Sequence, residues 1–292
     1  MTKAHVPPQC AGNTGLVTRA SHMLDSGGMV SLGRREIGGI YYAGQCDTCN
    51  NIAGADFDPA YGKMAAALNP LWAKASALML PPVLRLPHVP IRPGAAARSI
   101  ILGMCALTPV IRREMPAQDL LDAHKTIVLP SGFRLFLALA RGKTAWVSGT
   151  MSGSYVAGPR RVVDVDGTAI TLHAIASVFF PPLAWQLVHR PGSVLLERDG
   201  WADISDWCAM TPQDVQFLDD LVPALPAVVH PRHQIGGDIH RADLLNDEMC
   251  PIIECFDVTD PASIEGAARA KRMERVSVPI EEFKRAAARW NL

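Results

Sequence analysis

The pattern Cys46-Asp47-Thr48-Cys49 constrains the fold most, because it stands in a segment that has little else to hold it together. The first sixty residues are turn-rich, with Gly12, Gly15, Gly27, Gly28, Gly33, Gly38, Gly39 and Gly44, and carry few large apolar side chains. Such a segment cannot be stabilised by burial alone and needs a staple. A Cys-x-x-Cys turn puts two sulfurs on one side of a tight bend at a spacing that suits tetrahedral zinc, which keeps both thiols ionised. The same spacing serves a redox pair or two buried thiols, although no thioredoxin-like βαβ pattern surrounds it.

Cys10 lies upstream in another glycine-rich turn, as the first knuckle of a treble clef would. A first knuckle usually supplies two cysteines. Here Asn13 occupies the place of the second and is a poor zinc ligand, so His5, folded back by Pro7-Pro8, is the candidate fourth ligand beside Cys10, Cys46 and Cys49. The order is then Cys10, VTRASH ending at His22, a glycine-rich insertion, Cys46-x-x-Cys49-Asn50-Asn51, and a helix. This order resembles the HNH nuclease family over about residues 5–68. The resemblance implies a zinc-stapled ββα-metal module that grips one Mg²⁺ or Mn²⁺. It also implies His22 as general base, Asn50 as the residue that orients it, and Asn51, Asp56 or Asp58 near the catalytic ion. A neutral imidazole can take a proton from water at physiological pH while the cation polarises the phosphate. Family members usually carry Asp or Glu before the histidine, whereas this chain has Ser21, a weak neutral ligand for a hard cation.

A chain of 292 residues with 49% hydrophobic content can bury a sizeable core. Its formal charge is zero, so no global field steers it toward nucleic acid or an anionic membrane. Residues 1–98 hold nine Lys/Arg against five Asp/Glu, a balance of +4 that leaves −4 for the remainder. A basic front half fits a nucleic-acid contact or a solvated surface. Seven scattered cysteines favour thiols and metal ligation over a disulfide framework. The N-terminus lacks the apolar stretch of a signal peptide, and the most apolar windows are too interrupted to span a bilayer, which reads as a cytoplasmic protein.

Prolines 81, 82, 87, 90 and 93 favour an extended connection, which sets the expected organisation: a zinc-stapled HNH-like module over 1–80, a proline-rich connection over 81–98, and a β-rich α+β domain over 99–292. The fold class is α+β. Tyr61, Met64, Leu68, Leu71 and Trp72 recur at helical spacing after the knuckle, with a break expected at Pro70. Strands are expected in SIILGMCAL, KTIVLPSG, FRLFLALARG, TAWVSGTM, RRVVDVDGTAITLHAI and LAWQLVHRPG, with a hairpin turn at Asp166-Gly167. Helices are expected over 212–222 and in two stretches around 261–290.

His233, Asp238, His240 and Asp243 form a secondary metal candidate, outweighed by a plain loop reading. Cys208, Cys250 and Cys255 read as small buried hydrophobes. The functional expectation is a metal-dependent HNH-type endonuclease or nickase acting on DNA, with a second domain that selects substrate or a protein partner. The alternative is a zinc-stapled nucleic-acid-binding or assembly protein that has lost the chemistry.

Overall fold

The computed structural model describes residues 2–14, 16–25, 28–77, 83–107, 111–112, 115, 117–141, 144–157, 164–165, 168–189, 200–228 and 252–257. The front of the chain forms strand β1 (Thr2–His5), a hairpin of β2 (Leu16–Asp25) and β3 (Gly28–Ile37), and β4 (Tyr41–Gln45). β1 and β4 make a small antiparallel ribbon, with Thr2 opposite Gln45 and His5 opposite Tyr41. Helix α1 (Asp47–Ile52) starts at the Cys46 cap and runs through a π-helical turn, Ala53–Phe57, into α2 (Asp58–Ala77). The helix does not break at Pro70. The ring removes one backbone donor, but Pro70 and Ala66, whose carbonyl loses its partner, are both exposed, so that carbonyl is open to solvent.

The proline-rich segment contains short strands β5 (Val83–Arg85) and β6 (Pro90–Ile91), and its last proline opens helix α3 (Pro93–Leu107) at the position where a missing N–H costs nothing. Residues 99–107, expected as a strand, therefore belong to a helix. α3 is buried from Pro93 to Ala106, and an element buried on every face shows neither the helical nor the strand period. Small residues let its neighbours come close. A Cβ on Gly44 of β4 would lie 2.4 Å from the Ala106 carbonyl oxygen, and Gly103 faces both Val6 and the Trp185 ring.

After the short helix α4 (Ala117–Leu121) comes the main sheet, from β7 (Phe133–Ala140), β8 (Thr144–Ala157), β9 (Asp164–Val165), β10 (Thr168–Phe180) and β11 (Leu183–His189). β9 and β10 pair antiparallel on either side of 166–167, in the register a two-residue hairpin requires, although the two turn residues lie outside the described residues. Residues 125–132, also expected as a strand, join no ladder. Over 212–222 the expected helix is replaced by turns, a two-residue strand and a single helical turn. The elements here are β12 (Ala202–Asp203), β13 (Gln216–Phe217), helix α5 (Leu218–Leu221) and β14 (Ala224–Val228). The expected helices at 261–290 fall outside the described residues.

With β15 (Ile252–Asp257) the long sheet runs β3-β2-β15-β8-β10-β11-β7-β14-β5. Its pairings are antiparallel except β14 with β7. The class is α+β. The buried cluster extends from Ala4 and Val6 through α2 and α3 to Trp185 and Ala227. Its centre includes a bond from Trp185 Nε1 to the Tyr61 hydroxyl at 3.0 Å, which joins β11 to α2. No described helix is long and apolar enough to cross a membrane.

Candidate functional site

The residues expected to hold zinc are not gathered into one site. His5 and Cys46 lie at opposite ends of the β1–β4 ribbon, on the order of 15 Å apart at the usual rise per strand residue, whereas ligands sharing one zinc lie within about 4 Å of each other. His5 Nε2 donates to the Gly38 carbonyl at 2.9 Å, and burial lowers the pKa of the ring, which stays neutral. The Cys10 thiol donates to the Asp58 carbonyl at 3.0 Å and packs against Gly62. Burial first, and the Asp58 charge second, push that thiol up, so it stays protonated. Cys46 and Cys49 are joined in a disulfide, a correction to the expectation that the cysteines are free or metal-bound. A disulfide sulfur is not the thiolate that zinc takes. In this arrangement the four residues do not fit the ion.

The work expected of zinc at the first knuckle falls to Asn13. Its side chain is 1% exposed. Nδ2 donates to the carbonyls of Pro7 at 2.6 Å and Ile40 at 2.8 Å, while Oδ1 accepts from the Ile40 N–H at 2.6 Å. Gly39, at φ +86°, brings the chain so close that a Cβ there would lie 2.2 Å from the Asn13 carbonyl oxygen. The residue that stands where zinc chemistry wants cysteine is thus a hydrogen-bonded clamp between the N-terminal loop and the β3–β4 turn.

The expected catalytic residues fall on different elements. His22 sits on β2, opposite Ser31 of β3 and Ile253 of β15. Asn50 Nδ2 donates to the Lys3 carbonyl at 3.4 Å, which ties α1 to β1. Asn51 and Asp56 are exposed. The Asp58 carboxylate accepts from Ser99 Oγ at 2.7 Å, which pins α2 to α3. Burial raises the Asp58 pKa, against the smaller opposing effect of the Ser99 bond. Its folded-state value therefore lies above the unfolded one, and stability falls as pH rises from the ordinary carboxylate range through the folded value. Asp58→Asn keeps an acceptor for Ser99. It is expected to remove that pH dependence and to preserve or raise stability at neutral pH, as urea midpoints at acidic and neutral pH will report. A loss of stability at neutral pH would show that the charge itself is needed.

Comparison with protein-family models, curated proteins and solved structures finds no match to this chain. The site therefore rests on its own geometry. Among the described residues, His88, Asp219 and Asp220 are the group of three whose potential ligand atoms lie within 4.8 Å of one another. His88 Nδ1 donates to Asp219 at 2.9 Å, and its ring stacks on Phe217 at 3.9 Å. This is a surface hydrogen bond beside the β6–β13 ribbon, between residues 131 positions apart that no local motif spans. His233, Asp238, His240 and Asp243 lie outside the described residues.

Sequence reasoning missed a second convergence, around the Cys46–Cys49 pair. A cavity of about 210 Å³ is lined by both cysteines, Gln45, Cys105 and Arg112, with Leu102, Met115, Leu120 and Leu121 as apolar walls. Gln45 Nε2 donates to the Leu102 carbonyl at 2.8 Å, and Arg112 Nη1 donates to the Gly44 carbonyl at 2.8 Å. Burial pushes the Cys105 thiol up to about 12. Gly44, next to the knuckle, was the available signal, since a glycine there marks the close approach of another backbone.

Proposed function

We propose that this chain is a DNA-binding protein built on an HNH-like module, with His22 on the β2–β3 hairpin as the base of a metal-dependent endonuclease or nickase. The observation that carries the reading is the register of β15 on β2: Glu254 lies directly opposite Ser21, beside the Ile253–His22 pair. We read this as an acidic residue standing at the register position of Ser21 on the neighbouring strand, one row from His22. Glu254 would help hold the divalent cation, which would polarise the scissile phosphate, and His22 would accept the proton of the attacking water. The hairpin also brings Arg19 opposite Arg34. Two arginines at one register position would suit a phosphate backbone. Asp257 is opposite Thr18 in the next row, so the favourable row is the one at Arg19.

The second reading, binding without hydrolysis, is favoured by Asn50 and Asp58, whose side chains are spent on Lys3 and Ser99. Plasmid incubated with Mg²⁺ or Mn²⁺ is expected to be nicked by the intact protein and left at background by His22→Ala and by Glu254→Gln. Equal background for all three, together with duplex binding that weakens in Arg19→Ala, selects the second reading. Neither cleavage nor binding removes both.

A further inference from the structure

We propose that Cys46 and Cys49 form a thiol–disulfide exchange site that takes small disulfides bearing a hydroxyl or amide donor into the adjacent cavity. This assignment is independent of the nuclease reading, because it uses neither the β2–β3 hairpin nor a metal ion.

Four observations converge. The two cysteines are bonded to each other, and both line the cavity. Cys46 Sγ accepts the Cys49 N–H at 3.0 Å, a bond that stabilises negative charge developing on that sulfur and singles it out as the attacking atom of the reduced pair. The cavity walls are apolar, formed by Leu102, Met115, Leu120 and Leu121, and suit an aliphatic body. The fourth observation points to the ligand. Gln45, 8% exposed, lines the same cavity, and its Oε1 finds no donor among the described residues. The bond from Nε2 to the Leu102 carbonyl prevents the amide from flipping to hide that oxygen. A buried acceptor left unpaired is costly, so a guest that supplies an O–H or N–H gains what the protein alone lacks.

The exchange balances without any other cofactor. In the reduced pair, the Cys46 thiolate attacks one sulfur of a disulfide R–S–S–R. A bond forms between Cys46 and that sulfur, and R–S⁻ leaves and takes up a proton. The Cys49 thiolate then attacks Cys46 Sγ, forming the Cys46–Cys49 bond and releasing the second R–SH. The protein dithiol is oxidised by two electrons and the small disulfide is reduced by two. Cys105 shares the cavity, but its burial keeps it protonated and out of the exchange.

The test uses the full chain, reduced with a phosphine that is then removed, and hydroxyethyl disulfide as the probe. The wild type is expected to close its Cys46–Cys49 bond and release mercaptoethanol. Cys49→Ser is expected to stop at a mixed disulfide on Cys46, located by peptide mass. Gln45→Leu, checked for folding by circular dichroism, is expected to react about tenfold more slowly with hydroxyethyl disulfide and at an unchanged rate with diethyl disulfide, which lacks the hydroxyl. An adduct on Cys10 or Cys105 in place of Cys46 would overturn the proposal. So would equal slowing of both probes by Gln45→Leu, or isolated protein whose Cys46 and Cys49 react only after a chelator strips zinc from them.

Discussion

Asn13→Ala is expected to lower the stability of the chain by about 5 kcal/mol, since three hydrogen bonds are lost where water cannot easily replace them. The Ile40 N–H loses its acceptor. The Pro7 carbonyl loses the Nδ2 donor, and the Ile40 carbonyl keeps only the Val6 N–H at 3.1 Å. A buried donor or acceptor left unpaired costs about 1–3 kcal/mol, and three coupled losses set the scale of the estimate. Asn13→Asp separates the two halves of the clamp. It retains an oxygen for the Ile40 N–H but turns the donor that faced two carbonyls into a second acceptor. At neutral pH that variant should be as unstable as Asn13→Ala, and it should recover part of the loss as the pH falls and the carboxyl acquires a proton. Urea unfolding at several pH values measures both effects. A loss below about 1 kcal/mol for Asn13→Ala would mean that the loop carrying Pro7 and the turn carrying Ile40 are held together by something other than this side chain.

The same residue explains what could be read from sequence at the front of the chain. The glycine content points to a need for a staple, but the expected place was Cys10, Cys46, Cys49 and His5, whereas the observed clamp joins Pro7 to Ile40 through Asn13. Its chemistry was not legible, because Asn13 binds backbone atoms of Pro7 and Ile40, and backbone partners leave no signature in residue type. The β2–β3 hairpin was hidden for a related reason. Its glycines, Gly28 and Gly33 among them, read as an insertion, while the ladder that holds them depends on β15, more than two hundred residues later.

In the sheet, β7, β8, β10 and β11 were legible because each combines branched or aromatic residues with a turn signal, and Asp166-Gly167 marked the β9–β10 register. Helix α3 was not, since burial on every face removes the periodicity that separates helix from strand. Missing α3 also hid the cavity. Cys105 and Leu102 reach the Cys46–Cys49 pair only because α3 docks on β4 at Gly44. Tertiary docking of this kind is written in the size of one residue, not in a motif.

Arg98→Met is expected to cost about 4 kcal/mol and to loosen the segment that walls the cavity. The guanidinium is fully buried in α3. Nη1 donates to the carbonyls of Asp119 at 2.7 Å and Leu120 at 3.1 Å, and Nη2 donates to the Lys125 carbonyl. One side chain thus anchors both ends of the stretch from α4 to Lys125, and its cationic face lies 5.6 Å from the Phe57 ring. Two opposing effects decide the magnitude. Removing the cation relieves its desolvation, which lowers the Arg98 pKa, and also removes Nε, a donor with no partner among the described residues. Against this, three carbonyls lose charge-assisted donors, each worth about 1.5–3 kcal/mol, and methionine fills the volume without replacing any of them. The losses win. Arg98→Lys should recover little, because a single ammonium on a flexible stem cannot address three carbonyls with the geometry of a planar fork. Hydrogen exchange offers a local readout: protection across residues 117–125 should fall in Arg98→Met, while that of β7 and β11 follows only the global loss. Unchanged protection in 117–125 would show that the segment is held by its leucines alone. Since Leu120 and Leu121 also line the cavity, the variant should weaken the discrimination between hydroxylated and plain disulfides at Cys46 even where the cysteines themselves are intact.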